Sequence, residues 1–442
     1  MRRLSRAHPR PATAILLWAR PTMPHTILGA SSDDRECALT LQERLRHIGI
    51  FGITGVGKST LLRNIAAQDM ARGDGLLLLD PHGPLAEDVL TFVPRHRVDD
   101  VCYFNAGDRD FPVGFNILAD VHPDDHAVVA EGVVSAMRAI WLDVSWGPEL
   151  ERILRSSVIA LIQTPRVSLV HLPRLLTDGV FRAHVVSRTT NPVVRQFFES
   201  QFNPRPEEER LRMIASVLNK IEAFLASDPL RNILGQDMST LHLEHAMRHG
   251  RIVLGNLAKG GIGETPSQLM AGLLLARTLG ALMRRSRDKE LRPFHIIVDE
   301  AGAFRTGVLA SLLREARKFS GSLTLATQDI ASLDEQTRSA IMGSTKTIIC
   351  FQLGLEDADY MAPYFNRQFQ QYNPYALRHL EIGEAFWTDG YLYPYKDVEA
   401  RVDRELVIQQ SRMHYGRPRE RVERRIRRAM KIETRHRPRE RL

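Results

Sequence analysis

The segment of this sequence that is most informative about the fold is Gly52-Ile53-Thr54-Gly55-Val56-Gly57-Lys58-Ser59. It fits the pattern G-x-x-x-x-G-K-[ST], whose glycines let successive backbone N–H groups turn toward phosphate oxygens. The apolar run before it, Arg46 to Phe51, predicts a short buried strand, and the residues after it predict a helix from about Lys58 to Met70. A strand that leads into a glycine-rich turn and a helix is the context that separates a phosphate-binding loop from a chance match.

The loop also predicts which residues contact a nucleotide. Lys58 would reach the β and γ phosphates of ATP, and the Ser59 hydroxyl would bind Mg²⁺. The start of the helix would add its partial positive charge. Together with these two, the residues expected around the phosphates are Gly52, Thr54, Gly55, Val56, Gly57 and Thr60.

A second segment supplies the acidic groups that such a site needs. Ile296-Ile297-Val298-Asp299-Glu300 is an apolar run that ends in two carboxylates. Ligands of open α/β sheets bind at the carboxyl ends of the strands. Asp299 would therefore bind Mg²⁺, directly or through its water ligands, and Glu300 would polarise the attacking water. Because a protein that only binds nucleotide has no use for such a base, the pair favours hydrolysis.

Two further residues are candidates for catalysis. Gln328 ends the predicted strand Leu323 to Ala326, where a neutral amide can sense the γ phosphate or orient water; a strand-end turn residue is the alternative. Arg314 and Arg317 share one face of a predicted helix, Val308 to Phe319. An arginine on a rigid helix can neutralise charge in a neighbouring subunit's site, and Arg317 is favoured for this role. A solvated basic face is the alternative.

The order of predicted elements gives the fold class. Strands and helices alternate before and after a long helical segment that has no convincing strand, so the chain is α/β, with a mostly parallel sheet that an all-α domain interrupts. The core is expected to be of the additional-strand class. The predicted organisation is a basic N-terminal extension (1–27), the first part of a P-loop ATPase core (28–121), an all-α insertion (122–250), the second part of the core (251–400), and a basic helical or disordered tail (401–442).

Charge and composition narrow the function classes. The net charge of +8 belongs to the tail, because residues 401–442 contain 15 Lys and Arg against 6 Asp and Glu. Such a tail suits an anionic partner, nucleic acid first, while a solvated tail without a partner is the alternative. No apolar run approaches the ~20 residues that span a bilayer, so a cytoplasmic protein is expected, with a peripheral position at the inner membrane as a variant. Residues 1–24 precede any periodic pattern, and translation is expected to begin at Met23.

The chain resembles the bacterial conjugative coupling proteins and their relatives in the FtsK–HerA group of DNA translocases. The resemblance runs from about Leu28 to Pro394 and includes the P-loop and the Val298-Asp299-Glu300 strand end. It rests further on short motifs in the same order and spacing as in that group: Leu79-Asp80-Pro81-His82-Gly83, Gly114-Phe115-Asn116-Ile117-Leu118, Trp146-Gly147-Pro148, Asn256-Leu257-Ala258-Lys259-Gly260, Glu315-Ala316-Arg317-Lys318, Ala326-Thr327-Gln328 and Gly354-Leu355-Glu356-Asp357-Ala358.

The resemblance implies a RecA-like motor core with an inserted all-α domain. It also implies a ring of six subunits, with ATP at each subunit boundary and DNA in the central channel. It implies that Lys58, Ser59, Asp299 and Glu300 form the ATP site, that Gln328 is the strand-end glutamine, and that Arg317 acts on the neighbouring subunit. In coupling proteins the all-α domain faces the relaxosome, and the motor pumps DNA toward a type IV secretion channel.

One departure leaves alternatives open. Coupling proteins usually carry N-terminal transmembrane helices, and this sequence shows none. Either the chain works with a separate membrane-anchor subunit, or it is a soluble HerA-like motor that processes DNA ends. A nucleotide-gated DNA-binding scaffold and a protein-secretion ATPase are further alternatives.

Overall fold

The computed structural model describes residues 25–141, 146–287, 290–304, 306–366, 374–388, 390–395 and 400–431. Most of the predicted N-terminal extension and the end of the predicted tail therefore lie outside the described residues. The chain forms two compact units. The first comprises the described residues up to Val101 together with His245–Gly255 and Leu282–Ile408, and the second comprises Cys102–Glu244, Asn256–Ala281 and the described residues from Gln409 on.

Strands are concentrated in the first unit. In chain order they are β1 His25–Ala30, β2 Glu36–Thr40, β3 Ile48–Phe51, β4 Gly75–Asp80, β5 Val101–Asn105, β6 Ile252–Asn256, β7 Phe294–Val298, β8 Gly321–Thr327, β9 Thr347–Cys350, β10 Ala385–Trp387 and β11 Gly390–Pro394. Apart from β5, most of which belongs to the second unit, they follow one another in the order β2-β1-β11-β10-β9-β3-β8-β7-β4-β6.

The centre of this sheet is parallel, as the sequence predicted. Strands β9, β3, β8, β7 and β4 pair in parallel. Strand β8 lies between β3, which leads into the P-loop, and β7, which carries the two carboxylates, and this is the additional strand. The register pairs Phe51 with Thr327 and Leu325 with Val298, so the three strands end at the same edge of the sheet.

Four strands at one side of the sheet were not predicted. Strands β10, β11, β1 and β2 continue it in antiparallel pairs beyond β9. The pairing of β1 with β11 joins Gly29 to Pro394. Because each strand has only three to six residues, local hydrophobic periodicity carries little information about them.

Helices cover the sheet of the first unit. Those wholly within it are Leu41–Arg44, Lys58–Arg72, Pro84–Leu90, Val308–Glu315, Glu335–Ser344, Leu355–Asn366 and Pro374–Arg378. The helix Lys58–Arg72 follows the P-loop and is buried along most of its length. It ends at Gly73, whose left-handed φ of 87° lets its N–H bond back to the last turn.

A buried charge network fixes the far end of that helix. Arg44 Nη2 lies 3.0 Å from Asp69 Oδ2, and both side chains are almost completely buried. Arg72 pairs with Asp69 as well and with Asp74, at 2.9 Å. The His295 ring of β7 approaches Asp74 at 3.3 Å. Breaking one member of such a network leaves an uncompensated buried charge, so the network fixes the end of the helix.

The second unit is helical. Its helices are His126–Ile140, Pro148–Ile162, Leu172–Thr177, Gly179–Arg188, Pro192–Gln196, Glu207–Leu225, Asp228–Leu234, Lys259–Ile262 and Arg419–Lys431. Three more helices, Leu243–His249, Glu264–Arg284 and Arg404–Tyr415, include residues of both units. Among the described residues between Asn105 and Ile252 there is no strand, although whether 122–250 forms a separate domain stays a prediction.

Local sequence explains several of these helix starts. The side chains of Asp178 and Asn191 each accept two backbone N–H groups at the start of the next helix. Proline occupies the first helical position at Pro148 and Pro192. In the part of the chain that the structure describes, no helix has the length and apolar character needed to cross a bilayer.

Candidate nucleotide-binding site

The P-loop turns through two glycines with left-handed backbones. Gly55 has a φ of 81° and Gly57 has a φ of 118°, values that L residues with a side chain rarely adopt. The helix begins at the next residue, Lys58. Strand, turn and helix therefore stand in the arrangement predicted from the sequence, and the loop has the geometry of an anion-binding concavity.

The Lys58 ammonium lies folded against its own loop. Its Nζ donates to the carbonyl oxygens of Gly52, at 2.5 Å, and Ile53, at 2.9 Å. The side chain is buried, and burial lowers the pKa of the ammonium, an effect that Glu300 and Asp299 oppose. Both of these acceptors therefore belong to the P-loop itself.

Asp299 follows β7 directly and is only 8% exposed. Burial, together with the nearby carboxylates of Asp80 and Glu300, raises the pKa of its carboxyl to about 6, and Lys58 opposes this rise. The Asp299 N–H donates to the Leu79 carbonyl at 3.0 Å, which fixes this strand end against β4. Three acidic groups beside a single ammonium form an oxygen-rich site that a small divalent cation would neutralise.

Glu300 is held in an unusual backbone conformation. Its φ of 49° and ψ of 59° are left-handed, which is uncommon for a residue other than glycine and is found at functional sites. Its Oε1 accepts from the Thr327 hydroxyl at 3.0 Å and from the Gln328 backbone N–H at 3.3 Å. These two donors at the end of β8 orient the carboxylate.

Thr327 was not singled out from the sequence. It is buried and lies at the carboxyl end of β8, on the edge where the P-loop and the carboxylates meet. A hydroxyl at the carboxyl end of the strand, immediately before Gln328, is the signal that identifies it.

The Gln328 side chain connects β8 to the P-loop. Its Oε1 accepts a hydrogen bond from the Thr54 hydroxyl at 2.7 Å. Both residues line the same cleft. The structure therefore brings together the predicted glutamine and a residue of the predicted phosphate-binding loop.

Asp80, in the Asp80-Pro81-His82-Gly83 motif, stabilises the local backbone and also lines the cleft. One carboxylate oxygen accepts from the His82 N–H at 2.8 Å and the other from the Ala86 N–H at 3.0 Å. These bonds shape the turn after β4 and cap the helix Pro84–Leu90. The carboxylate also acts on the pKa of Asp299.

These groups surround one cleft of about 410 Å³. Its lining consists of Thr54, Gly55, Gly57, Lys58, Ser59, Thr60, Asp80, His82, Pro84, Leu85, Asp88, Asp299, Glu300 and Gln328. Two residues predicted around the phosphates do not line it. The Gly52 carbonyl faces Lys58, and Val56 is buried with its carbonyl bonded to the Gly383 N–H at 3.0 Å.

Arg317 also lies outside the cleft lining. The predicted helix ends at Glu315, and Arg317 is an exposed residue of the following 3₁₀ turn, Ala316–Phe319. Ser320 closes that turn with a left-handed φ of 56° before β8 begins. A role for Arg317 in another subunit's site stays a prediction.

A phosphate-binding loop, an additional strand beside it and two carboxylates at the end of the next strand define the fold of a RecA-like P-loop NTPase. Comparison with known proteins refines this class. A family model described as "Helicase HerA, central domain" matches residues 29–87, which include the P-loop and β4. No curated protein sequence matches the chain.

Solved structures match over nearly the full length of both chains. The bacterial conjugative coupling protein TrwBdeltaN70, in an unbound form, is 13% identical, with a TM-score of 0.61 over 89% of this chain and 93% of that one. The plasmid coupling protein TrwB in complex with ADP and Mg²⁺ is 15% identical, with a TM-score of 0.59 over 86% and 96%. VirB4 of Thermoanaerobacter pseudethanolicus is 13% identical, with a TM-score of 0.56 over 88% and 98%.

These matches support the resemblance stated from the sequence. At such identities the likeness to coupling proteins and VirB4 is one of fold, and it extends over both units of the chain. In the nucleotide-binding segment the likeness to HerA is one of sequence as well.

Proposed function

We propose that this chain is an ATP-hydrolysing motor that translocates DNA, in the manner of a conjugative coupling protein. The observation that carries the proposal is the convergence of an ammonium, two carboxylates and an amide in one cleft: Lys58, Asp299, Glu300 and Gln328. The fold shared with TrwB, whose complex with ADP and Mg²⁺ is known, supports the choice of nucleotide and metal.

The P-loop and β7 would bind ATP with Mg²⁺. Lys58 would exchange its carbonyl partners, Gly52 and Ile53, for phosphate oxygens, since an ammonium donates to either kind of oxygen. The Ser59 hydroxyl and the Asp299 carboxylate would hold the cation, which would neutralise charge on the phosphates. Asp299 must be ionised for this, and the carboxylates around it make cation binding favourable.

Hydrolysis would depend on the end of β8. Thr327 and the Gln328 N–H orient the Glu300 carboxylate, which accepts a proton from the attacking water. The Gln328 amide nitrogen would donate to the γ phosphate, while its oxygen accepts from Thr54. The bond between Thr54 and Gln328 would hold the amide beside the P-loop.

The motor would act as a homohexamer. In the single chain the nucleotide cleft is open to solvent. Arg317, which is exposed on its turn, would complete the cleft of the neighbouring subunit. DNA would pass through the ring. Relaxosome or type IV secretion components, or a separate membrane-anchor subunit, would be the protein partners.

Steady-state ATPase activity of the purified full chain, with and without single- and double-stranded DNA, tests the proposal. Stimulation by DNA that disappears in Lys58→Ala is the expected result. Lys58-dependent turnover that no DNA stimulates would contradict the DNA assignment and favour a protein-secretion ATPase.

A further inference from the structure

A second cavity lies wholly within the helical unit, between the segment Gln236–Thr240 and the helix Arg419–Lys431. Its volume is about 180 Å³, which is the liquid volume of about six water molecules. Three guanidinium groups line it, from Arg417, Arg421 and Arg425. It shares no residue with the nucleotide cleft.

The wall opposite the arginines is held in place by hydrogen bonds. The Ser239 hydroxyl accepts from the Asn116 N–H at 3.0 Å and donates to the Asn116 carbonyl at 3.2 Å. The Thr240 hydroxyl accepts from the Gly114 N–H at 2.9 Å and donates to the Tyr415 carbonyl at 2.6 Å. The last bond ties this wall to the chain two residues before the first arginine.

The helix that carries the arginines is packed along one face. Val422 and Ile426 are each only 3% exposed. Ile426 lies against Gly235, where a Cβ would come within 2.8 Å of its Cδ1. The neighbouring helix Asp228–Leu234 contacts the same face. The positions of the arginines are therefore set by the fold, which makes this part of the basic tail an element of the second unit.

The charges around the cavity are not balanced. On the same helix, Arg419 and Arg427 pair with Glu423 at 2.6 Å and 3.5 Å. Of the residues that line the cavity, Asp237 is the sole acid, and it pairs with Arg425 at 3.2 Å. Within the part of the chain that the structure describes, Arg417 and Arg421 form no ion pair.

The position of these two arginines is unfavourable for the fold itself. Both lie at or just before the start of the helix Arg419–Lys431, where the helix dipole disfavours positive charge. Cations that a protein holds against its own dipole, around a cavity with rigid walls, create a site for an anion. Guanidinium forks match two oxygens of a phosphate group at once.

We infer that this arginine pocket binds a phosphate of the DNA backbone. Met238, 63% exposed at the cavity, offers an apolar surface to the adjoining sugar. Contacts of this kind position nucleic acid without reading its sequence. The inference rests on the proposed function for the identity of the anion, because DNA is the polyanion that the motor would move.

DNA affinity of the full chain, measured by fluorescence anisotropy with labelled oligonucleotides at several salt concentrations, tests the pocket. Arg417→Ala and Arg421→Ala are each expected to weaken binding about tenfold and to lower the salt slope by about 1. Arg421→Lys is expected to restore part of the affinity, since it keeps the charge without the fork. Arg424→Ala is the matched control, because it removes the same charge from the same helix outside the cavity.

A substitution of opposite sign separates binding from support of the fold. Asp237→Asn removes the carboxylate from the pocket and releases Arg425, so DNA affinity is expected to rise about two- to fivefold. A pocket that only holds the helix in place would show lower thermal stability in this variant and no gain in affinity.

Two results would contradict the inference, and only the second would also contradict the proposed function. If the wild type binds DNA and the Arg421 and Arg424 variants weaken it equally, the pocket is not the site, while the motor is unaffected. If the wild type binds no DNA but binds a labelled polyglutamate peptide through Arg421, the ligand is an acidic protein and the proposed DNA motor fails as well.

Discussion

The cost of burying the Asp299 carboxylate gives a quantitative prediction about the ligand-free protein. A carboxyl pKa raised from 3.8 to about 6 costs the ionised form about 3 kcal/mol, at about 1.4 kcal/mol for each pH unit. The folded protein holds this proton more tightly than the unfolded chain does. The free energy of unfolding therefore falls as the pH rises from 3.8 to about 6, and above that range it is lower by the full amount.

Asp299→Asn removes this titration without removing the local hydrogen bond, because an amide oxygen can still accept from the Glu300 N–H as Oδ1 now does at 3.1 Å. We expect the variant to be more stable than the wild type at pH 7.5 by up to about 3 kcal/mol, which corresponds to about 6–12 °C in the melting temperature of a unit of this size. This is an upper bound, because the buried Lys58 ammonium loses one of its two acidic neighbours. The gain should vanish below pH 4.

The measurement is thermal unfolding of the full chain in EDTA without nucleotide, from pH 4 to pH 8. Asp34→Asn, at an exposed position of the same unit, is the control and should change little at any pH. A variant that is equally stable or less stable at pH 7.5, or a gain that persists at pH 4, would show that the ionised Asp299 carboxylate does not destabilise the fold.

Three further substitutions test other parts of the structure. Glu300→Gln should retain ATP binding and lower kcat about 100-fold or more, measured by equilibrium nucleotide binding beside turnover, since the general base is lost; unchanged kcat would exclude that role. Arg317→Ala mixed with Lys58→Ala should recover ATPase activity that neither variant has alone, if the arginine acts in trans, whereas an Arg314→Ala chain alone should keep its activity. Arg44→Met should lower the free energy of unfolding in urea by about 3–5 kcal/mol, because its buried aspartate partner loses a counter-charge; a loss below about 1 kcal/mol would show that the network matters little.

The central sheet and the position of the cleft could be predicted because their signals are local. A G-x-x-x-x-G-K-S loop and an apolar run that ends in Asp299 and Glu300 each specify a strand end, and parallel strands bring their ends to one edge. The four antiparallel strands are short, and the pairing that joins β1 to β11 connects residues more than three hundred positions apart, such as Gly29 with Pro394, which no local pattern encodes.

Some details of the site could not be predicted from the sequence. The left-handed backbone of Glu300 and its bond to Thr327 arise from the turn after β7 packing against the end of β8. The bonds that Asp80 accepts from the His82 and Ala86 N–H groups depend on the turn after β4 and are not evident from its motif. For the arginine pocket, the sequence predicted only a net positive charge. The packing of Ile426 that positions the helix is a tertiary contact, which local sequence does not encode.

Translocation is the property that distinguishes a DNA motor from other ATPases, and it can be measured. The assay is displacement of a triplex-forming strand from double-stranded DNA, with an equivalent assay on a single strand that carries a bound protein block. We expect displacement by the wild type to require ATP and Mg²⁺ and to be absent in Glu300→Gln. Vigorous ATP hydrolysis without displacement of either block, in the presence of every DNA form, would contradict the claim that this chain is a DNA motor.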